Sequence, residues 1–272
     1  GQEAKEMLGK VPKNIVARRP MKSGVIAYYK LTEALLRRFI DKAIGRSRLF
    51  KPEVMISVPA GITSVEERAV IDAVASAGAG KVYLIPEPIA AAIGAKLPIH
   101  TSGGNMIVNM GGGTSEIAII SMNGIVRAHS ERVAGDALNE SISNFVRKKY
   151  GLLIGGQMSE AIKMEIGSAI LEEEGRKMEV RGRDLNTGLP GSVYVDSNAL
   201  VELIMQVLNK IIFSIKNDLE DTPRELASDS IDYGIILSGG TAKLKGIDKL
   251  FTRVIGVPVS VVEDPIIAVV RG

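Results

Sequence analysis

Two glycine-rich turns carry the sequence's clearest sign of chemistry. In the first, Gly111, Gly112, Gly113 and Thr114 separate two apolar runs within residues 105–121, a pattern that predicts a β-hairpin with a glycine tip. A turn without Cβ atoms lets several backbone N–H groups point at one spot, where an anion such as a phosphate can approach closely. On these residues alone, an ordinary glycine-rich turn explains the pattern equally well.

A second turn of the same kind lies far downstream. Residues 233–238 form a predicted strand that runs into Gly239, Gly240 and Thr241 and then into an amphipathic helical stretch through Phe251. Paired glycines between a strand and a helix let the backbone lie flat against a base or a ribose. Two such turns suggest one nucleotide held between two lobes, although this turn alone is as well explained by a plain strand-to-helix connection.

Glu87 is the candidate catalytic carboxylate. It stands between two prolines at the predicted carboxyl end of a strand, which is where open α/β sheets place their ligands. A carboxylate fixed there could orient a water molecule against a terminal phosphate. From the residues alone, a partner of the helix N-terminus is the favoured interpretation of Glu87, by roughly two to one.

Glu160 and Lys163 are candidate nucleoside contacts. They lie three residues apart on a predicted helix, so they share a face and could hydrogen-bond a nucleoside. Without other information, a solvated ion pair between them is slightly favoured.

Leu49 and Phe50 form a candidate membrane contact. Both are predicted to be exposed in a loop with Arg46, Arg48 and Lys51, and such a loop could insert into an anionic bilayer surface. Burial of Leu49 and Phe50 in the core is an equally weighted alternative.

The elements that must position these residues read as an α/β fold. A strand at residues 54–58, a helix at 64–77, a strand at 81–85 and a helix after Pro86 predict a sheet with crossover connections. Thr63 and Glu66 fit a capping box at the start of the second of these elements. The structural role predicted for Glu66 therefore excludes it from the candidate site.

Other helices are predicted on either side of this unit. An apolar stripe predicts that residues 31–44 form a helix packed along one face, and a second stripe predicts a long helix at 198–219. Between them, residues 151–200 predict a small α+β insertion with short polar strands. The chain's last predicted strand covers residues 257–262, and no helix is predicted after it.

Composition narrows the classes of function. The chain has 272 residues, 46% of them hydrophobic and 24% charged, which are globular values, and no apolar run approaches the roughly 20 residues of a membrane-spanning helix. With no signal-like start, we expect a soluble intracellular protein. Zero cysteines and two histidines argue against thiolate or histidine metal sites, so a metal would be oxygen-bound, as Mg²⁺ is. A net charge of +3 is too small to indicate nucleic-acid binding.

Motifs spread over almost the whole chain carry a family resemblance. They lie at residues 19–26, 58–69, 87–94, 111–116, 132–136, 165–168 and 239–240. On these motifs, the sequence resembles the MreB family of bacterial actin homologues, within the superfamily that also contains actin, the seventy-kilodalton heat-shock chaperones and sugar kinases. The resemblance implies an actin-like ATPase fold, with ATP and Mg²⁺ in a cleft between two lobes. It also implies filaments under the cell membrane that guide wall synthesis and keep rod shape.

The resemblance assigns roles to the candidate residues. Glycines 111–113 and Thr114 match the second phosphate loop, Glu87 matches the water-orienting carboxylate, and Gly239 and Gly240 match the adenosine loop. Glu160 and Lys163 match the nucleoside contacts. Leu49 and Phe50 match a membrane-inserting loop, which favours that role over burial.

Three departures from the family pattern qualify this expectation. Asn109 stands where an Asp that helps to hold Mg²⁺ is usual, and a neutral amide should weaken metal affinity and hydrolysis. Thr241 stands where a third glycine is usual, which narrows the adenosine loop. The chain is also expected to begin after the first phosphate loop and to end before the closing helix, as either a fragment or a degenerate paralogue.

By this resemblance the chain divides into four parts: 1–32 as a remnant of small subdomain IB, 33–101 as the core of subdomain IA, 102–137 with 202–272 as subdomain IIA, and 138–201 as small subdomain IIB. We expect an ATP-binding protein that polymerises into membrane-associated filaments and hydrolyses ATP through Glu87, at a rate that Asn109 should lower. Its expected partners are other copies of itself, the inner face of the cytoplasmic membrane, and cell-wall synthesis and membrane-anchor proteins, without nucleic acid.

Two alternatives remain open. Asn109 and the missing first phosphate loop also suit a non-hydrolysing filament or scaffold subunit that binds nucleotide weakly or not at all. A chaperone-type ATPase domain is disfavoured, because no substrate-binding domain follows and the motifs between the loops look like those of the MreB family.

Overall fold

The computed structural model describes residues 2–7, 16, 18–22, 25–45 and 50–272. Its strands, in chain order, are β1 (Met21–Lys22), β2 (Val25–Ile26), β3 (Glu53–Val58), β4 (Lys81–Pro86), β5 (Asn105–Met110), β6 (Ser115–Ser121), β7 (Gly124–Glu131), β8 (Leu152–Leu153), β9 (Lys177–Asp184), β10 (Pro190–Asp196), β11 (Ile235–Ser238) and β12 (Val259–Val261). Its α-helices are α1 (Gln2–Met7), α2 (Tyr29–Ile44), α3 (Ser64–Ser76), α4 (Glu87–Gly94), α5 (Gly135–Tyr150), α6 (Gly156–Ile166), α7 (Val201–Glu220), α8 (Arg224–Tyr233), α9 (Ile247–Ile255) and α10 (Ala268–Arg271).

A five-stranded mixed sheet forms the centre of the molecule. Its strand order is β12-β11-β5-β6-β7, with β11 parallel to both β12 and β5 and the β5–β6–β7 meander antiparallel. All six residues of β5 are buried. Met106 and Val108 face a core that includes α5 and α7, whereas Ile107 packs with Ala91 of α4 on the other face. A strand that reads as a continuous apolar run is thus explained by a sheet covered on both faces.

A second, two-stranded parallel sheet pairs β3 with β4 through the crossover helix α3. The predicted strand–helix–strand–helix order is confirmed. The capping box is also present: Thr63 Oγ1 accepts from the Glu66 N–H, and the Glu66 carboxylate accepts from the Thr63 N–H at 2.9 Å. The hydrogen bonds that the Thr63 N–H and hydroxyl donate to the Glu66 carboxylate lower the pKa of Glu66, in agreement with its predicted structural role.

Helix α2 forms where predicted and packs on a neighbouring helix, but most of its apolar stripe is not buried. Thr32 and Ile40 are its buried residues, whereas Leu31 and Phe39 are exposed. Among the described residues, α2 packs mainly on α3, and a single neighbouring helix covers only a narrow strip of its surface.

Three differences from the predictions lie near the carboxyl end of the chain. Helix α8 was missed, so Tyr233 belongs to that helix and β11 begins only at Ile235. The last strand, β12, is shorter than the predicted 257–262. The short helix α10, also not predicted, packs so closely on α4 that a Cβ at Gly94 would collide with the carbonyl group of Ala268.

The elements predicted for residues 151–200 are present as helix α6 and an antiparallel three-stranded sheet, β10-β9-β8. Further on, the segment Ser197–Glu220 is, among the described residues, the one helix long and apolar enough to cross a membrane by length and composition. Its Ile204, Leu208 and Ile211 are fully buried against the large sheet's core, as in a core helix of a globular protein.

Candidate functional site

The two glycine turns meet. The hydroxyl of Thr241 donates to the carbonyl oxygen of Gly111 at 2.7 Å, and a Cβ at Gly239 would collide with the carbonyl group of Met110. The turns therefore face one shared crevice, as the sequence analysis expected.

Strand pairing explains why turns 130 residues apart come together. β5 and β11 are parallel neighbours with Asn109 opposite Ser238, so both strands end at the same edge of the sheet. Each turn begins at that edge, which is where ligands bind in open α/β sheets.

The crevice is a cavity of about 480 Å³. The first turn contributes Gly111 and Gly112 to its lining, and the second contributes Gly240 and Thr241. Gly113, Thr114 and Gly239 belong to the same turns but do not line the cavity. Other lining residues come from α1, α5, α6, the α6–β9 connection, the segment after the second turn and the β12–α10 connection: Lys5, Gly135, Asp136, Leu138, Asn139, Glu160, Lys163, Met164, Gly167, Arg176, Lys243, Leu244, Lys245 and Ile266.

Hydrogen bonds orient the first turn. The Gly111 carbonyl accepts from Gly135 N–H at 3.2 Å, and the Gly112 carbonyl accepts from Asp136 N–H at 2.7 Å. In the described part of the chain, the N–H groups of Gly112 and Gly113 donate to no recorded acceptor. The carbonyl groups of Gly111 and Gly112 thus accept hydrogen bonds from the start of α5, whereas the N–H groups of Gly112 and Gly113 can donate to a ligand. This arrangement suits an anion.

Gly135 is a site residue that the sequence analysis did not single out. A Cβ there would lie 2.9 Å from Thr241 Oγ1 and 3.0 Å from Lys163 Nζ. Only glycine lets these two groups approach the start of α5 so closely. The signal was available, because Gly135 lies in the motif at residues 132–136.

Glu160 and Lys163 both line the cavity from α6. Each has a partner elsewhere in the molecule: Glu160 pairs with Lys5 at 2.8 Å, and Lys163 Nζ donates to the Gly135 carbonyl at 3.1 Å. Burial lowers the pKa of Lys163, while the charges of Glu160 and Asp136 oppose that shift. Because each side chain has its own partner, the interpretation as a mutual, solvated ion pair is not favoured.

Glu87 and Asn109 lie behind the turns and do not line the cavity. Asn109 Nδ2 donates to Glu87 Oε1 at 2.8 Å, and Ser238 Oγ donates to Asn109 Oδ1 at 2.9 Å. Burial and then the nearby Glu116 carboxylate raise the pKa of Glu87, and the hydrogen bond from Asn109 acts in the opposite direction. A carboxylate with a raised pKa is better suited than an ordinary one to accept a proton near neutral pH.

The described residues contain no group of three or more His, Asp or Glu side chains that could hold a metal ion. The Asp136 carboxylate lines the cavity beside Gly112 and pairs with Arg19. The Glu87 carboxylate and the Asn109 amide contact each other behind the turns. Such a donor set fits Mg²⁺ only if the ligand's phosphates and water complete the coordination, which is the usual arrangement for Mg²⁺.

Comparison with known proteins decides the family. The sequence profile described as MreB/Mbl protein matches residues 1–272. Over 273 residues the chain is 46% identical to the cell shape-determining protein MreB of Escherichia coli strain K12, with all of this chain and 79% of that protein covered. The chain belongs to the MreB/Mbl family.

Solved structures agree with this membership. The crystal structure of MreB5 of Spiroplasma citri bound to AMPPNP matches with a TM-score of 0.94 and 32% identity, covering 100% of this chain and 81% of that one. The MamK double helical filament matches with a TM-score of 0.82 and 22% identity, covering 99% and 82%, and supports the fold alone. The chain therefore has the actin-like fold, and its MreB relatives are cell shape-determining proteins.

Two of the three departures from the family pattern, Asn109 and Thr241, lie at or beside the site. Asn109 is buried and joined to Glu87, so its amide takes part in the site's hydrogen bonds. Thr241, expected to narrow the second turn, lines the cavity and also fastens that turn to the first through its hydroxyl.

The candidate membrane residues are only partly covered by the structure. Phe50 is 84% exposed and lies three residues before the start of β3 at Glu53. Leu49 lies outside the described residues.

Proposed function

We propose that the crevice binds ATP. The observation that carries the proposal is that the two glycine turns, together with Glu160 and Lys163, line one cavity. The AMPPNP bound to the Spiroplasma citri MreB5 structure supports it, because AMPPNP is an ATP analogue.

In this proposal the phosphates lie against the first turn, where the N–H groups of Gly112 and Gly113 are free to donate. The nucleoside lies between α6 and the second turn, in reach of Glu160, Lys163 and Gly240. Mg²⁺, when bound, would neutralise phosphate charge, and phosphate oxygens and water would supply most of its ligands, with Glu87, Asn109 and Asp136 as candidate protein donors.

Hydrolysis would use Glu87. A water molecule between Glu87 and the terminal phosphate would lose its proton to the carboxylate as its oxygen attacks phosphorus and the bond to ADP breaks. Asn109 would hold Glu87 in place through the 2.8 Å hydrogen bond.

ATP binding would close the two lobes that the family resemblance implies. Closure would favour a homopolymer filament on the inner face of the cytoplasmic membrane. The exposed side chain of Phe50, with Leu49 beside it in sequence, would insert into the bilayer surface. Cell-wall synthesis and membrane-anchor proteins would then be partners of the filament.

Calorimetric titration with ATP tests the binding site. Lys163→Met should weaken ATP binding about tenfold, the size expected for losing one hydrogen bond from a charged group. Lys177→Met is the matched control, because Lys177 is an exposed residue of β9 that does not line the cavity. An unaltered protein that shows no ATP binding at millimolar concentration contradicts the proposal.

Sedimentation with ATP, Mg²⁺ and anionic vesicles tests the filament and membrane parts. We expect polymer in the pellet with vesicles, and loss of vesicle binding in a Leu49→Ser/Phe50→Ser variant. Absence of sedimenting polymer, or a double variant identical to the unaltered protein, rules out the filament-on-membrane interpretation.

The second candidate function is a filament or scaffold subunit that does not hydrolyse ATP. Asn109 favours it, because a neutral amide occupies a position where the family usually has a carboxylate. Phosphate-release kinetics separate the two candidates: turnover by the unaltered protein that Glu87→Gln abolishes supports the ATPase. No turnover, with Asn109→Asp raising it, supports the scaffold.

A further inference from the structure

Glu172 lies at the centre of an ion cluster beside the crevice and has no role in the site as described so far. Its carboxylate accepts from Arg176 Nε at 2.9 Å and Nη2 at 3.1 Å, and from Ser197 Oγ at 3.0 Å. It also pairs with Lys245 Nζ. The Glu172 side chain is only 8% exposed, so these groups replace most of its contact with water.

The two cations held by Glu172, Arg176 and Lys245, both line the cavity. Arg176 also donates to the carbonyls of Glu165 and Gly167 at the end of α6, the helix that carries Glu160 and Lys163. Lys245 follows the second glycine turn, and its carbonyl accepts from Ala169 N–H at 2.8 Å. Glu172 therefore joins the α6 wall of the cavity to the wall formed by the second turn.

The cluster also sets the charge at this end of the cavity. Hydrogen bonds from Arg176 and then Lys245 lower the pKa of Glu172 to about 2, so the carboxylate is ionised at neutral pH. One negative charge is thus shared between two cations. The cations at this end are engaged by the protein, whereas the N–H groups of the first turn are free for phosphate.

We propose that Glu172 is a positioning residue for the nucleoside end of the crevice. It fixes the gap between α6 and the second turn, and it keeps Arg176 and Lys245 from drawing phosphates to the wrong end. This inference rests on the proposed ATP-binding function and adds to it a residue that sets how the nucleotide is oriented.

Three ligands and four proteins test the inference. ATP, adenosine and inorganic tripolyphosphate are titrated into the unaltered protein, Glu172→Gln, Glu172→Asp and the control Glu179→Gln. Glu179 pairs with Arg181 at 3.0 Å on β9, away from the cavity, which makes it a matched loss of one ion-paired carboxylate.

We expect Glu172→Gln to weaken ATP and adenosine about tenfold, since charge-assisted hydrogen bonds that hold the gap are lost. Tripolyphosphate, which has no base, should bind with unchanged or higher affinity because two cations are released. Glu172→Asp should recover part of the ATP affinity, and Glu179→Gln should match the unaltered protein.

Two results overturn the inference alone: ATP affinity in Glu172→Gln equal to that of the unaltered protein, or an equal loss for all three ligands, which indicates a merely structural role. If the unaltered protein binds no ATP, the proposed function itself fails and the inference fails with it. Parallel thermal unfolding of each variant identifies loss of fold.

Discussion

Two of the parallel strand pairs in the described part of the chain, β11–β5 and β3–β4, are covered very differently. Every residue of β5 is buried between helices on both faces of the large sheet. In β3 only Val58 is buried, and Met55 is 63% exposed. Similar apolar strand sequences therefore lie in a fully buried core in β5 and in a half-covered sheet in β3.

The difference bears on how the candidate site is built. Both glycine turns leave the large sheet, whereas Glu87 begins the helix that follows β4 of the small sheet. The hydrogen bond from Asn109 to Glu87 joins the two regions. The glycine turns thus depend on the fully buried sheet, and the proposed catalytic carboxylate depends on both sheets.

The largest expected contrast is in core truncation. Ile117→Ala, at a fully buried position of β6, should lower the free energy of unfolding by about 4 kcal/mol, because it removes buried methyl groups and leaves a cavity. Met55→Ala, at an exposed position of β3, should change it by less than about 1 kcal/mol. Denaturant titration measures both, and similar losses at the two positions would contradict the comparison.

A glycine pair sharpens the comparison at the site. Gly239 and Gly45 have nearly the same backbone angles, φ +84° and +83° with ψ 165°, but a Cβ meets the Met110 carbonyl at Gly239 and, among the described residues, nothing within 4 Å at Gly45. Gly45→Ala should cost about 2 kcal/mol for this backbone conformation, which is essentially restricted to glycine. Gly239→Ala should cost about 4 kcal/mol, since overpacking is added to that strain.

Nucleotide titration extends the glycine test to function. Gly239→Ala should also lose ATP binding, because its added methyl group pushes the second turn away from the first, while Gly45→Ala should retain it. Equal costs in unfolding free energy for the two alanines would show that space at Gly239 is not limiting.

Features coded by local patterns could be predicted from the sequence. Apolar runs separated by glycines were enough to predict β5, β6 and the two turns. The Thr63–Glu66 spacing was enough to predict the N-terminal cap of α3. Helix α8 was missed because Ser230 is its one buried residue, so it has no apolar stripe to detect.

Features that depend on distant parts of the chain could not be read from local patterns. The Thr241 hydroxyl reaches Gly111 across 130 positions, and the role of Gly135 depends on where Lys163 and Thr241 lie in space. The pairing of Glu172 with Lys245 is of the same kind. Strand order created these contacts, and no spacing in the sequence encodes strand order directly.

Buried and exposed hydrogen bonds give a smaller contrast between the two sheets. Ser115 Oγ donates to the Val133 carbonyl at 2.6 Å within the large sheet's core, whereas Tyr83 OH donates to Glu53 at 3.3 Å on the exposed small sheet. Ser115→Ala should cost about 1.5 kcal/mol because it leaves a buried carbonyl unpaired, and Tyr83→Phe less than about 0.5 kcal/mol because water can replace the partner. Costs in the reverse order, measured by denaturant titration, would refute the assignment of burial.

A further effect is confined to acid pH and concerns the ion cluster of Glu172. Its folded pKa of about 2 lies below the ordinary value of 4.5 because Arg176 and Lys245 hold the ionised form. A depressed folded pKa stabilises the fold fully above about pH 4.5, and this stabilisation is lost as the pH falls from 4.5 towards 2. The difference in unfolding midpoint between the unaltered protein and Glu172→Gln should therefore be constant near neutrality and shrink across that window. A difference that stays constant down to pH 2 would mean that the ionised carboxylate is not what holds the two cavity walls together.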